Sequence, residues 1–167
     1  MKYTVLGIFC YVQFVNVAIA EQVYKLSTLV SGVVDKVMVK PGENVVTGQI
    51  LLVLDRRVLT ATKQLADKVE VSAKLNLDEI KKELDSANEL YGNGSLSSRE
   101  LEIAKVNFAK AEAKFARAHL NRINAQYQLD YSQITSPVSG KVKSVAAWKG
   151  MVVNNQVKTT TLITLVK

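Results

Sequence analysis

Cysteine is almost absent from this chain of 167 residues, and the single example, Cys10, sits in an apolar stretch at the N-terminus. No disulfide framework can be built from one thiol, and none remains if that stretch is removed. Gly7-Ile8-Phe9 precedes Cys10. Bacterial lipid attachment wants an aliphatic residue three places before the cysteine and a small one directly before it, so lipidation is not expected. Histidine is as scarce. The sole imidazole, His119, has Lys114 and Arg117 near it in the sequence, a poor setting for a metal ligand, and it reads as a surface residue. Aromatic residues make up only 7% of the chain, which fits a thin helical arm better than a thick core. No glycine-rich phosphate loop occurs. Glu100, Glu102 and Glu112 are scattered, with no nucleophile or cleft implied beside them. The chain therefore reads as a non-enzyme without cofactor or metal. Its net charge is +7, yet Lys and Arg alternate with acids and form no basic block interleaved with aromatics, so no nucleic-acid partner is expected.

A chain of this length is sized for one compact domain, or for a small domain with an extension; the pattern favours the second. Residues 1–20 read as a secretory signal peptide. Lys2 gives the charged start, Tyr3 to Val17 the mostly apolar run, and Ala18-Ile19-Ala20 a small-x-small cleavage site. The alternative, a permanent membrane anchor, is disfavoured because Gln13 and Asn16 interrupt a run already short for a bilayer. The expected mature chain starts at Glu21, and an exported chain without cysteine fits the bacterial periplasm.

Residues 56–130 carry the organising pattern. Leu101, Ala104, Phe108, Ala111, Phe115, Ala118, Arg122, Ala125 and Leu129 follow at steps of three and four, an apolar seam broken only by Arg122. Upstream, Val58, Thr62, Leu65, Val69, Ala73, Leu77, Ile80, Leu84, Ala87 and Tyr91 offer a second seam, with a slip of one residue between Val69 and Ile80. The two stretches predict an antiparallel coiled-coil hairpin. Gly92, Asn93 and Gly94 tolerate positive φ and predict a left-handed cap and a chain reversal. Ser97 and Glu100 predict a capping box that opens the second helix. The tip, from Leu90 through Gly92, Asn93, Gly94, Leu96 and Ser97 to Arg99, is the expected partner-binding surface, because loops at the end of a rigid scaffold favour recognition.

The flanks, residues 24–55 and 131–167, alternate valine-rich runs with turn residues and predict short β-strands. They also repeat each other. Ser31-Gly32 corresponds to Ser139-Gly140, Gly42 to Gly150 and Val45 to Val153 at one offset, and extra residues around Lys158 to Thr161 shift the last strand. Each half is too small to bury its own apolar face, so the two should pack on each other as one β-sandwich interrupted by the hairpin, an α+β fold. Trp148, before Lys149-Gly150, either covers the end of that sandwich or docks a neighbouring subunit.

The first flank, Ser31-Gly32-Val33 through Val37, Val39, Gly42, Val45, Gly48-Gln49, Leu51 and Leu54-Asp55, resembles the leading half of the biotinyl/lipoyl-carrier fold. The second, from Ile134-Thr135-Ser136-Pro137-Val138-Ser139-Gly140 to Val142, resembles the start of its trailing half. No Met-Lys-Met or Asp-Lys-Ala stands where a carrier presents its modified lysine, so a swinging-arm carrier is rejected. A split lipoyl-like domain bearing a helical hairpin in an exported chain resembles the periplasmic adaptors, or membrane fusion proteins, of the haemolysin-D type. That resemblance implies an outer-membrane channel and an inner-membrane transporter as partners, the latter reached through a separate barrel-bearing chain if need be, and a homo-oligomer. Adaptors of the resistance-nodulation-division type carry Arg-x3-Leu-x6-Ser at the tip; Leu90 and Ser97 keep that spacing, while Ser86 occupies the arginine position. The sequence leaves a second reading open, a periplasmic coiled-coil scaffold with no transport role.

Overall fold

The computed structural model describes residues 21–154 and 159–167, so the signal-peptide reading of residues 1–20 and the insertion at Lys158 lie outside the described residues. Four short strands come first: β1 (Val23–Leu26), β2 (Gly32–Val37), β3 (Asn44–Val45) and β4 (Ile50–Leu54). Two long helices follow, α1 (Arg57–Gly92) and α2 (Ser98–Asp130), and then β5 (Gln133–Thr135), β6 (Gly140–Val145), β7 (Val152–Val153) and β8 (Ile163–Val166). The α+β architecture expected from the sequence is present, with a helical hairpin between the halves of a two-sheet sandwich.

The halves do not simply stack. One sheet runs β1-β8-β6-β3 and the other β5-β4-β2-β7, so each sheet takes two strands from either side of the hairpin. The two halves pack into one sandwich, as expected, and they do so by interweaving their strands. The physical reason is strand length: β3 and β7 have two residues each, too short to hold a sheet with neighbours of their own half, and each completes a strand of the other half instead.

The exchange is symmetric. Gly32 and Val33 of β2 face Val153 and Val152 of β7, while Val45 and Asn44 of β3 face Gly140 and Lys141 of β6, which is the same pairing moved along the sequence repeat. The amide of Gly42 donates to the Val142 carbonyl at 2.8 Å, and that of Gly150 donates to Val34 at 2.8 Å. Alternating strand positions point their valines, leucines and isoleucines between the sheets. Leu51, Leu52, Leu54, Leu162, Ile163 and Leu165 lose essentially all contact with solvent there, with Val34 and Val142 at matching positions. Buried Ser132 and Ser136 spend their hydroxyls on the carbonyls of Leu129 and Val138.

Trp148 does not cover the sandwich. It is 63% exposed, in a turn where the amide of Met151 donates to the Trp148 carbonyl at 3.1 Å. Val33 and Val152, paired partners on β2 and β7, are exposed as well.

One glycine is fixed by close approach. A β-carbon on Gly140 would meet the carbonyl oxygen of Val166 at 2.4 Å, whereas one on its repeat counterpart Gly32 would stand 3.4 Å from Leu54 Cδ1. We expect Gly140→Ala to cost about 1–3 kcal/mol through the forced shift of β8 and Gly32→Ala markedly less. Urea unfolding of the two variants checks this; equal stabilities would contradict the close β6–β8 approach.

Candidate functional site

The arm grows out of paired strands. Leu52 of β4 faces Ile134 of β5, and these strands lie immediately before α1 and after α2, so the sheet sets the two helix roots side by side. At about 1.5 Å per residue, the 36 residues of α1 carry the tip roughly 50 Å from the sandwich.

On α2 every expected seam residue is withdrawn from solvent: Leu101, Ala111, Ala118 and Ala125 are buried, and Ala104, Phe108, Phe115, Arg122 and Leu129 are half-buried. On α1 the outer part agrees, with Ala73 and Ala87 buried and Leu77, Ile80 and Leu84 half-buried. The inner part does not. Val58 is 76% exposed and Leu65 63%, and Val69 and Thr62 are exposed as well. The withdrawn residues are Leu59, Lys63, Ala66, Asp67 and Glu70, and all but Asp67 continue the spacing of Ala73, Leu77, Ile80, Leu84 and Ala87 in unbroken steps of three and four. The slip inferred from the apolar residues is absent; the seam keeps strict heptads and accepts a lysine and a glutamate to do so.

Glu70 explains that choice. Its carboxylate receives Arg122 Nε at 2.7 Å and lies 2.5 Å from His119 Nδ1. Among the described residues these are the only ion pairs that join α1 to α2; Lys63–Asp67, Lys74–Asp78, Lys82–Glu79 and Lys105–Glu102 each stay within one helix. His119 is exposed, as expected, yet it has a partner, the opposite helix's carboxylate, and its ring lies against Phe115 with centroids 6.1 Å apart. Lys74 Nζ stands 5.7 Å from the centroid of the same phenylalanine. The signal for Glu70 was present in the sequence: one arginine inside an apolar seam calls for an acid across from it.

At the tip the expected turn forms with a smaller part for its residues. Only Gly94 has positive φ, at 73°, whereas Asn93 sits at −89° and Gly92 continues the helix. The reversal needs one left-handed residue because the amides of Asn93, Gly94 and Ser95 bond back to the carbonyls of Glu89, Tyr91 and Leu90. The capping box is complete: Ser97 Oγ accepts from the Glu100 amide at 3.3 Å, and Glu100 Oε2 accepts from the Ser97 amide at 2.9 Å. The structure brings Gly92, Asn93, Gly94, Ser97 and Arg99 together at the exposed end, with Leu90 47% exposed and Leu96 half-buried. Tyr91, read from the sequence as the last seam residue, is 46% exposed, like its neighbour Leu90.

Three carboxyls of the arm are held below their ordinary range. Hydrogen bonds from His119 and then Arg122 lower Glu70, those from Ser97 lower Glu100, and Arg57 brings Asp55 to about 2. A lowered folded pKa gives stability that is present above the unfolded carboxyl value and lost as pH falls through the folded one. Helicity at the melting midpoint should therefore decline as pH drops from about 5 toward 2, and Glu70→Gln should lower neutral-pH stability and flatten that decline. An unchanged pH slope in Glu70→Gln would contradict the role given to Glu70.

The family model described as the barrel-sandwich hybrid domain of RND membrane fusion proteins matches residues 22–165. The chain is 29% identical over 126 residues to the uncharacterized protein YdhJ of Escherichia coli, covering 75% of this chain and 44% of that one. It is 26% identical over 138 residues to the multidrug efflux pump subunit AcrA of the same organism, covering 81% and 34%. It thus spans less than half the length of either relative. A crystal structure of a MacA–MexA chimeric protein containing the Pseudomonas aeruginosa MexA α-hairpin domain superposes with a TM-score of 0.57 at 26% identity, over 87% of this chain and 46% of that one. No helix among the described residues is long and apolar enough to cross a membrane. With the interwoven sandwich, the inserted hairpin and the family match over nearly its whole length, this chain belongs to the RND-type membrane fusion proteins, the adaptors of efflux systems.

Proposed function

We propose that this chain acts in the periplasm as the adaptor subunit of a tripartite efflux or secretion system, linking an inner-membrane transporter to an outer-membrane channel through the tip of its arm. The observation that carries this reading is the placement of exposed Leu90 and Tyr91 at the far end of a rigid, charge-coated hairpin. A surface held that far from the sandwich is suited to a partner that the sandwich itself does not touch. The capping box occupies the Ser97 hydroxyl, so recognition falls to Leu90, Tyr91, Arg99 and the backbone of Gly92, Asn93 and Gly94. Leu96, half-buried, supports the turn and contributes its exposed edge.

Assembly into a homo-oligomer has a surface of its own. Exposed Val33 and Val152 pair across β2 and the short edge strand β7, and exposed Trp148 stands in the connection that leads into β7, apolar surface of the kind that a second copy covers. The inner-membrane transporter is met either directly or through a separate barrel-bearing adaptor chain.

Leu90→Asp combined with Tyr91→Asp is expected to abolish in vivo cross-linking to an outer-membrane channel while leaving helicity at the parental level. Ser97→Ala is expected to cost about 1 kcal/mol of stability and to spare capture at low temperature. Retention of cross-linking and transport by the tip variants, with loss on Trp148→Ala, would favour the scaffold reading over the adaptor one.

A further inference from the structure

The inner half of α1 carries two heptad stripes side by side. The one that faces α2 is Leu59, Lys63, Ala66 and Glu70, all half-buried, and the one beside it is Val58, Thr62, Leu65 and Val69, all exposed. Their order is opposite to what burial of apolar surface favours, since the exposed stripe holds three large aliphatic residues and the buried one holds a lysine and a glutamate. The exposed stripe is not remote from α2. Thr62, Leu65, Ala66 and Val69 line one groove together with Asn121, Asn124, Ala125 and Gln128 of α2, none of which carries a charge. Rolling the inner half of α1 by one residue would place Val69, Leu65 and Val58 against Ala118, Ala125 and Leu129 respectively. The outer half need not follow, because a local unwinding between Val69 and Leu77 absorbs a one-residue offset as a stutter does in long coiled coils.

What holds the observed stripe inward is ionic. Glu70 is the only residue of that stripe with ion-pair partners on α2, the Arg122 and His119 side chains at 2.7 and 2.5 Å; Lys63 is engaged by Asp67 of its own helix, and Leu59 and Ala66 only line grooves beside Asn124 and Gln128. We propose that the inner half of α1 is a two-seam element, packed on its polar seam while Glu70 holds Arg122 and His119, and able to roll onto the Val58–Thr62–Leu65–Val69 seam when that contact is released. Two packings of one sequence, separated by a single cluster of contacts, make a bistable element. Only Asp55 and Arg56 separate β4 from α1, so a roll of the helix root is passed to the sandwich and turns it relative to the tip. Arg57, bonded to Asp55 at 2.6 Å, moves with that root.

Single reporter cysteines in a Cys10→Ser chain test this. Thr62→Cys reports the exposed stripe, Ala66→Cys the buried one, and Ala87→Cys the outer seam; each is labelled with a maleimide in the parent and with Glu70→Gln plus Arg122→Gln added. In the parent, position 62 should label several-fold faster than position 66. With the ionic contact removed, the order should invert, position 87 should stay protected, and helicity should hold. Parental order in the doubly substituted chain would overturn the proposal, because packing alone would then fix the seam. Fast labelling at both 62 and 66 would overturn it too, because the helices would have parted without finding a second seam.

Discussion

The pairing of β4 with β5 is the contact on which the arm depends. The two strands are separated in sequence by the entire hairpin, yet Leu52 faces Ile134 across the ladder. Their outer ends therefore deliver α1 and α2 to neighbouring points, and the loop-closure cost of more than seventy intervening residues is met by the helices' own seam as well as by the sheet. The same exchange of strands builds the sandwich. With β3 completing the sheet of β6 and β7 that of β2, neither half has an apolar face that is covered without the other, and the buried leucines and isoleucines from both flanks become one core. A core shared in this way gives the arm a stiff root.

Along the arm, stiffness is graded. Beyond Ala73 the seam is apolar, with Leu77, Ile80 and Leu84 half-buried on α1 and Phe108, Ala111 and Phe115 withdrawn on α2, and the small buried residues Ala87 and Ala111 let the backbones approach. Nearer the sandwich the seam narrows to alanines and an ionic cluster, Glu70 with Arg122 and His119. A polar layer within a coiled coil fixes its alignment at a cost in stability. Here it also leaves Val58, Leu65 and Val69 in solvent. The tip is the opposite case: its turn is tied by three amide-to-carbonyl bonds and a full capping box, so Leu90 and Tyr91 are presented on a settled frame.

Much of this was legible in the sequence, for reasons that can be named. The seam of α2 could be read because alanine and phenylalanine recur there at strict intervals. The capping box could be read because Ser-x-x-Glu is a local motif that needs no tertiary information. The repeat of Gly32 and Gly140, Gly42 and Gly150 showed that the flanks were two versions of one unit. Apolar periodicity misplaces the inner seam of α1 because the helix there follows heptad spacing and an ion pair; Arg122 within the α2 seam signals an acid opposite, but nothing local singles out Glu70, 49 positions before its partner His119. The interweaving of the sheets was missed for a related reason. Strands of two residues have too little pattern to declare their neighbours, and their partners lie in the other half. At the tip, periodicity alone does not say where two helices cease to face each other, so it extends the seam to Tyr91, and composition alone does not separate Gly94, which performs the left-handed turn, from Gly92 and Asn93.

The account rests on a sandwich that is complete in itself and an arm that rises from one of its strand pairs. Replacing residues 57–130 by a short turn joining β4 to β5 tests this most directly, read by amide NMR dispersion and thermal unfolding of the shortened chain. The account predicts a cooperatively folding β-domain whose Leu52, Val142, Ile163 and Leu165 remain protected from exchange. A shortened chain with collapsed dispersion and no unfolding transition would contradict it, since the sandwich would then depend on the arm it carries.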